Sequence, residues 1–370
     1  MKTNIILLLL LGYNFLFSQP RIETSTTAHF YCPPCNLECD DKIFNAAGTC
    51  DVCGMKLTEM TPDQRVKQMK EQMTIAFYLQ DRVEILDFAG PLEVLSYSGF
   101  EIFTVSKTKD PIRSQGILTV IPDYSIEDAP HAEILAFFGG NSGAASGDPE
   151  VIKWIRSRTE VDYHFSVCTG AFVLAESGQL TGKTATTFHS ALSRLRDDYP
   201  EINVRDNVRF VDNGKVITTA GISAGIDGAL HLVAKLKGLA VARLVAYNME
   251  YDKWKPGEGL ILSEDNPYDI PILSRETLTM YEGTYEVEGG KKAIVVAGEE
   301  GNTLYAIIEN RVSPLFYISK DHYLNERGDE LVFLWEGNKV AAYTRDDEKR
   351  FKKLNDQIKN ARNRIINIGF

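Results

Sequence analysis

Residues 134–138, Ile134-Leu135-Ala136-Phe137-Phe138, are an uninterrupted apolar run stopped by the glycine pair Gly139-Gly140. Five residues are too few for a helix, and the lack of polar alternation describes a strand buried on both faces. Short strand-like runs recur at 73–78, 100–105, 119–121, 164–167 and 183–186. Between and after them lie segments with helical spacing at 91–97, 149–158, 170–177, 190–199, 227–236 and 240–249. Asp212-Asn213-Gly214 is a strong turn signal joining 207–211 to 215–219 as a hairpin. Strands alternating with helices imply a largely parallel sheet covered on both sides, an α/β domain over residues 73–255. Binding sites in such sheets lie beyond the carboxyl ends of the strands.

Cys168 sits at one of those ends, in Phe165-Ser166-Val167-Cys168-Thr169-Gly170-Ala171. A strand of aromatic and β-branched residues enters the cysteine, and Gly170 gives room to turn at once into a helix. This is the layout of a nucleophile elbow, with a thiol where hydrolases carry a hydroxyl. A thiol at a helix N-terminus faces unpaired N–H donors and the positive end of the dipole, so we expect a lowered pKa. A free cysteine is also a common core residue, and that reading stays open.

The other five cysteines lie together between 32 and 53. Cys32-Pro33-Pro34-Cys35 and Cys50-Asp51-Val52-Cys53 are two C-x2-C pairs with 14 residues between them, and Cys39 falls in the gap. Two such knuckles complete a tetrahedral thiolate site for zinc or a similar divalent metal. A segment this short cannot build a sufficient core, so residues 29–58 need a cross-link. Disulfides are the competing answer, although five thiols leave one unpaired. The segment resembles the small heavy-metal-binding modules attached to bacterial envelope proteins. Those carry Met-His after the first Cys-Pro; here Pro34-Cys35 takes that place, which implies a zinc-ribbon-like site of Cys32, Cys35, Cys50 and Cys53, with Cys39 and Met55 as further ligands to test.

The first 18 residues combine Lys2 with an apolar core from Ile5 to Leu11 and a processing point at Ser18-Gln19. That is the pattern of a signal peptide, a membrane anchor being the alternative, and it places the mature chain in the periplasm or outside the cell. A formal charge of −11 argues against wrapping nucleic acid. The expected partners are a small-molecule substrate or ligand and a second copy of the chain, docked through the α/β domain. No organic cofactor is expected.

Residues 59–72 read as a linker helix begun by Thr61-Pro62. After a turn-rich connector at 256–276, residues 277–345 show six short strand-like runs separated by Gly- and Asn-containing turns. They predict an antiparallel β domain, partly curled or barrel-like. It resembles the small β domains appended to penicillin-binding-protein-like serine hydrolases. The basic residues 346–370, with Phe351, Leu354, Ile358, Ala361 and Ile365 at helical spacing, predict an amphipathic terminal helix.

Within the α/β segment five stretches carry a further resemblance. They are Leu86-Asp87-Phe88-Ala89-Gly90-Pro91-Leu92-Glu93, Phe137-Phe138-Gly139-Gly140, Ser166-Val167-Cys168-Thr169-Gly170-Ala171, Leu180 through Thr187, and Thr219 through Asp227. In this order and spacing they resemble the DJ-1/PfpI superfamily, in the branch of isonitrile hydratases and the amidase-like domains of some transcriptional regulators. The resemblance implies a flavodoxin-like (class I glutamine amidotransferase-like) fold, Cys168 as nucleophile, Asp87 as its acidic partner and Thr169 beside it. It also implies an anion or oxyanion pocket of backbone N–H groups around Gly139, Gly140 and Thr169. Relatives of this branch place His-Trp directly after Ala-Thr-Thr. Here Phe188 intervenes, so His189 stands one place later, 21 residues after Cys168, either as base or orienter or turned to the surface. A helix cap remains the plain alternative for Asp87, and simple turns for the two glycines.

The leading expectation is an exported cysteine-dependent hydratase or hydrolase of a small electrophile. The competing expectation is a non-catalytic, metal- or redox-responsive envelope protein. A DNA-binding regulator is disfavoured, because no helix-turn-helix pattern follows the α/β segment.

Overall fold

The computed structural model describes residues 29–31, 42–52, 54–60, 73–299, 301–346, 349–358 and 361–365. Residues 1–18, most of the linker over 59–72, and Cys32, Cys35, Cys39 and Cys53 lie outside them. The chain divides into a unit over Met1–Glu71 and a larger one over Gln72–Phe370.

In the first unit His29–Tyr31 is the middle strand of a three-stranded antiparallel sheet, flanked by Ile43–Phe44 and Thr58–Met60. Thr58–Met60 is strand and takes in the first two residues of the expected 59–72 linker, whose helix start at Thr61-Pro62 lies outside the described residues. Cys50 and Leu57 are buried together, with Phe30, Phe44 and Met55 packed on them.

The larger unit opens with an eight-stranded sheet. Its strands are β1 (Thr74–Tyr78), β2 (Glu101–Ser106), β3 (Tyr124–Ser125), β4 (Ile134–Phe137), β5 (Tyr163–Val167), β6 (Phe210–Asp212), β7 (Val216–Thr219) and β8 (Leu260–Ile261). The spatial order is β8-β6-β7-β5-β4-β1-β2-β3, and every neighbouring pair is parallel except the β6–β7 hairpin. Alternate residues of the same strand feed two cores. Ile75, Phe77, Phe165 and Val167 face one, and Ala76, Tyr78, Leu135 and Phe137 the other. That two-sided burial explains why these strands read as continuous apolar runs.

Besides the single turn Gly143–Ser146, the helices are α1 (Ile85–Tyr97), α2 (Pro149–Ser157), α3 (Ala171–Glu176), α4 (Leu192–Asp198), α5 (Ala224–Lys237) and α6 (Leu239–Asn248). Pro91 was expected to open α1, yet the helix starts six residues earlier and Pro91 lies inside it. Proline tolerates an interior place at the cost of one i→i−4 bond, here the one to the carbonyl of Asp87. A proline thus marks helix without marking its start. α1 packs against α5, where a Cβ on Gly90 would come within 2.9 Å of Ile226.

The connector is not loose. Leu260–Ile261 joins the sheet edge beside β6. Beyond it the Ser263 hydroxyl donates to Asp212 at 3.1 Å, and the Tyr268 hydroxyl lies 3.0 Å from His231 Nδ1. His231 Nε2 lies 2.9 Å from Asp212 Oδ2, and Lys235 Nζ donates to the same oxygen at 3.2 Å. Asp212 and His231 are fully buried.

After α7 (Arg275–Met280) the chain forms a closed antiparallel barrel of eight strands rather than six. These are β9 (Gly283–Glu286), β10 (Lys292–Ala297), β11 (Leu304–Ile308), β12 (Arg311–Ser319), β13 (His322–Leu324), β14 (Glu330–Glu336), β15 (Lys339–Arg345) and β16 (Lys349–Asn355). β16 pairs with β9 and closes the ring, leaving no free edge. The expected basic helix over 346–370 is thereby corrected: its first part is β16, and the described helix is only α8 (Ala361–Ile365). The misreading has a simple cause. β16 turns only Phe351 fully inward, so its alternation is faint, while Phe351, Leu354 and Ile358 imitate a helical face. The interior is filled by Tyr281, Tyr285, Tyr323, Phe333, Tyr343 and Phe351, mostly in edge-to-face contacts. The barrel seats on α6 through Phe316 and Leu324 against Ala240, Leu244 and Tyr247.

Candidate active site

β5 ends at Val167, and Cys168 follows with φ +59°, a left-handed conformation that a non-glycine residue adopts only when its surroundings enforce it. Three contacts enforce it here. The Cys168 amide donates to the Ala220 carbonyl at 3.1 Å, and the Thr187 hydroxyl donates to the Cys168 carbonyl at 2.7 Å. Gly170, directly behind, approaches β4 so closely that a Cβ there would sit 2.3 Å from the Phe137 carbonyl oxygen. The elbow read from the sequence is present, and Cys168 begins a 3-10 turn that runs into α3.

Asp87 lies in the first turn of α1 and is fully buried, pointing across to the end of β5. Its Oδ2 accepts the Gly139 amide at 2.9 Å and its Oδ1 the Ile222 amide at 3.0 Å. The Cys168 thiol donates to the same carboxylate. This is not a helix cap: the N-cap position of α1 is Glu84, and no side chain caps it. Burial pushes the Asp87 carboxyl up to about 6, against the three hydrogen bonds and with some help from the nearby Glu84 charge.

The thiol departs from the expected lowering. Burial, then the Asp87 charge, push Cys168 up to about 12, and the Thr169 amide donating to the sulfur offsets only part of this. A buried thiol facing a carboxylate outweighs the short helix start behind it. Cys168 is 6% exposed.

Gly139 closes the third side. A Cβ there would stand 2.6 Å from Asp87 Oδ2 and 2.7 Å from Cys168 Sγ, so only glycine fits. Its amide is occupied by Asp87 and the Thr169 amide by the Cys168 sulfur, which leaves Gly140 as the expected pocket donor still uncommitted. Gly140 adopts φ +82° and bridges to Val83. The Thr169 hydroxyl is buried and makes no hydrogen bond with a described residue.

His189 does not join this group. It is exposed, and its ring neighbour is Phe188, with centroids 4.2 Å apart. Phe188 turns inward instead, packing on Gly221 and the core that contains Cys168. Two contributors were missed. Ile222, held at φ +56°, supplies an amide to Asp87, and Glu84 adds negative potential to both Asp87 and Cys168. Ile222 lay within the matched Thr219–Asp227 stretch, so its neighbourhood was visible though its amide was not.

In the N-terminal unit, Cys50 is the one cysteine that the structure describes. The Val52 amide lies 3.4 Å from its sulfur and the Gly54 amide donates to its carbonyl at 3.0 Å, with Gly54 at φ +76°. An amide two residues on, turned to the sulfur, suits a thiolate ligand in a knuckle. Among the described residues no group of three metal-binding side chains comes together.

Comparison with known proteins agrees with this division. Residues 29–60 match the heavy metal binding domain and residues 73–235 the DJ-1/PfpI family. Isonitrile hydratase of Pseudomonas putida is 37% identical over 182 residues, 48% of this chain and 78% of that protein. The HTH-type transcriptional regulator CdhR of Pseudomonas aeruginosa is 25% identical over 187 residues, and the match spans 49% of this chain and about half, 55%, of the regulator. A solved ThiJ/PfpI family protein from Pseudomonas syringae aligns at 29% identity with a TM-score of 0.46, covering 50% of this chain and 77% of that one. More than a third of the aligned residues are shared with a hydratase along most of its length, and the matched segment contains both Asp87 and Cys168: this chain belongs to the DJ-1/PfpI family.

Proposed function

We propose that the protein is a cysteine-dependent hydratase or hydrolase of small electrophilic substrates, with isonitriles as its reference substrate class. The observation that carries this reading is the hydrogen bond from the Cys168 thiol to a buried carboxylate, Asp87, whose two oxygens are also held by backbone amides.

The two shifted groups divide the work. With Asp87 near 6 and the thiol near 12, the neutral-pH state is a carboxylate facing a protonated thiol. Asp87 then accepts the proton as sulfur attacks, so general-base catalysis replaces a standing thiolate. On an isonitrile, R–N≡C, a bond forms from sulfur to the terminal carbon. The thiol proton passes through Asp87 to that carbon, giving the thioimidate R–N=CH–S. Water adds to the carbon, one of its protons ends on nitrogen, and the other returns to sulfur as the C–S bond breaks. The products are the formamide R–NH–CHO and the free thiol. The Gly140 and Thr169 region faces the charge that develops, and the Thr169 hydroxyl is an unspent polar group for water or substrate.

The test is conversion of a small alkyl isocyanide to its formamide by the full-length protein, followed by NMR. Cys168→Ala should abolish it; full activity in that variant would rule out covalent catalysis.

We further read residues 1–18 as an export signal and the α/β domain as the site of homodimer contact. Zinc is the proposed metal, held by Cys50 together with Cys32, Cys35 and Cys53, with Cys39 in reserve, and it would supply folding free energy to the small unit. A non-catalytic oxidant sensor is less well supported, because a thiol pushed up to about 12 is a poor oxidation target.

A further inference from the structure

An open depression of about 690 Å³ lies beside the Gly139-Gly140 turn, lined by Arg82, Gln115, Ile117, Gly140 and Asn141. Three of these five residues are held in left-handed conformations: Arg82 at φ +62°, Gln115 at +46° and Gly140 at +82°. The segment 82–84 runs alongside 139–141. The Asn141 amide donates to the Arg82 carbonyl at 3.1 Å, and the Glu84 amide to the Gly139 carbonyl at 3.1 Å. The wall of the depression therefore begins one residue from Gly139, the glycine pressed against Cys168 and Asp87.

Charge along this wall is graded. Behind the lining, on the side of the thiol, are Asp87 and Glu84, both negative. Outside is Arg82, whose guanidinium makes no hydrogen bond or ion pair with a described residue. The nearby Arg113 differs, since its guanidinium is tied back to the Gly116 carbonyl at 2.7 and 3.2 Å. Gln115 is partly committed, donating its amide to the Glu84 carboxylate. An anionic substrate group would be repelled from the Asp87 end and drawn to Arg82. Its electrophilic carbon would then point toward the thiol. Ile117, 72% exposed, adds an apolar side chain to the lining.

We propose that the preferred substrates carry a carboxylate and that Arg82, in the open depression beside Gly140, is the specificity-determining residue that binds it. This rests on the reading of Cys168 as the reacting thiol and adds a substrate class to it. Arginine suits the task because its planar fork matches a carboxylate with two parallel N–H donors.

The experiment compares alkylation of Cys168 by iodoacetate and by iodoacetamide, two reagents of one size that differ in charge, with the modified peptide followed by mass spectrometry. In full-length protein the iodoacetate to iodoacetamide rate ratio should fall about fivefold on Arg82→Ala, the scale of a solvent-exposed ionic contact. Arg82→Lys should recover part of it. Lys153→Ala, which removes an exposed cation from α2, should leave the ratio as in the wild type. An unchanged ratio in Arg82→Ala, or an equal fall in Lys153→Ala, overturns the proposal. The same variants are assayed with isocyanoacetate and its neutral amide, where the Arg82→Ala effect should appear in KM for the carboxylate. Loss of charge selectivity in the alkylation without turnover of either isocyanide supports the carboxylate site and overturns the isonitrile reading. Turnover with an unchanged alkylation ratio does the reverse. A Cys168 labelled by neither reagent overturns both.

Discussion

Asp87, near the start of the α/β domain, and Cys168, near the middle of its chain, meet as a carboxylate accepting a thiol proton, at a site where both are pushed upward by burial. That order of titration sets the pH dependence. As pH rises, Asp87 loses its proton through about 6, whereas the thiol stays protonated far beyond 8. With Asp87 as the proposed base, kcat/KM should rise through about pH 6 and stay level to pH 9. A second rise near 8.5, the value of a free cysteine, would mean that a standing thiolate is the reactive species. Asp87→Asn should lower kcat/KM by ~10²–10⁴-fold, the usual worth of a general base, and remove the step near 6.

Gly139 gives a sharper geometric test. A methyl group there must displace either Asp87 Oδ2 at 2.6 Å or Cys168 Sγ at 2.7 Å, and the carboxylate is fixed by two amides, one on each oxygen. Gly139→Ala should therefore cost ~10²-fold or more in kcat/KM, with an overpacking penalty of about 1–3 kcal/mol in urea unfolding. Retained activity in a folded Gly139→Ala protein would show that the thiol and carboxylate need not be in contact.

The elbow and the two glycines were legible because each depends on local chain sterics, which a short motif encodes. The parallel sheet was legible for a similar reason: strands buried on both faces leave continuous apolar runs. What failed to show was set by distant partners. Cys168 sits at a helix start, a local cue for a low pKa, but burial in the assembled core, and after it the charges of Asp87 and Glu84 from α1 and its N-cap, reverse the direction. β13, three residues long, and the lysine-rich β16 exist because the barrel closes on them, and neither carries enough inward-facing residues to announce itself. The expected role of His189 rested on its distance along the chain from Cys168, while the fold spends the inward position on Phe188.

His189→Ala therefore makes a direct comparison with Asp87→Asn. An exposed imidazole whose ring contact is Phe188 should be dispensable, and kcat/KM should stay within about threefold of the wild type. A fall of ~10²-fold would restore it as a base reached by movement of its loop. Phe188→Ala should be the more damaging change of the two, at about 3–4 kcal/mol of stability if the ring's half-buried packing is lost.

The Asp212 cluster predicts a stability effect remote from Cys168. Burial alone would raise this carboxyl, but His231, the Gly214 amide and Lys235 more than offset it, so its pKa is lowered. A depressed carboxyl contributes stability that is present above its unfolded value, about 3.9, and lost as pH falls through the folded value. Asp212→Asn should destabilise the protein by about 3–5 kcal/mol at pH 7, because the Lys235 side chain, 3% exposed, loses its counter-charge. The gap between wild type and variant should narrow as pH drops below about 4. Urea unfolding at pH 7 and pH 3.5 measures both, and a pH-independent gap would mean that hydrogen bonding rather than charge holds the cluster together.

The N-terminal unit makes the last prediction. Cys50 is buried with little apolar company beyond Leu57, Phe30, Phe44 and Met55, and its sulfur has the Val52 amide turned toward it. A small unit of this kind is held together by what its sulfur atoms bind, a metal or one another. With metal as the cross-link, protein purified under reducing conditions should carry about one zinc per chain, and Cys50→Ser should carry little or none. Chelation should expose the buried Cys50 thiol to a thiol reagent while leaving Cys168 labelling unchanged, since Cys168 draws its burial from a separate unit. A metal-free preparation with titratable disulfides among the five N-terminal cysteines would assign the cross-link to sulfur–sulfur bonds instead.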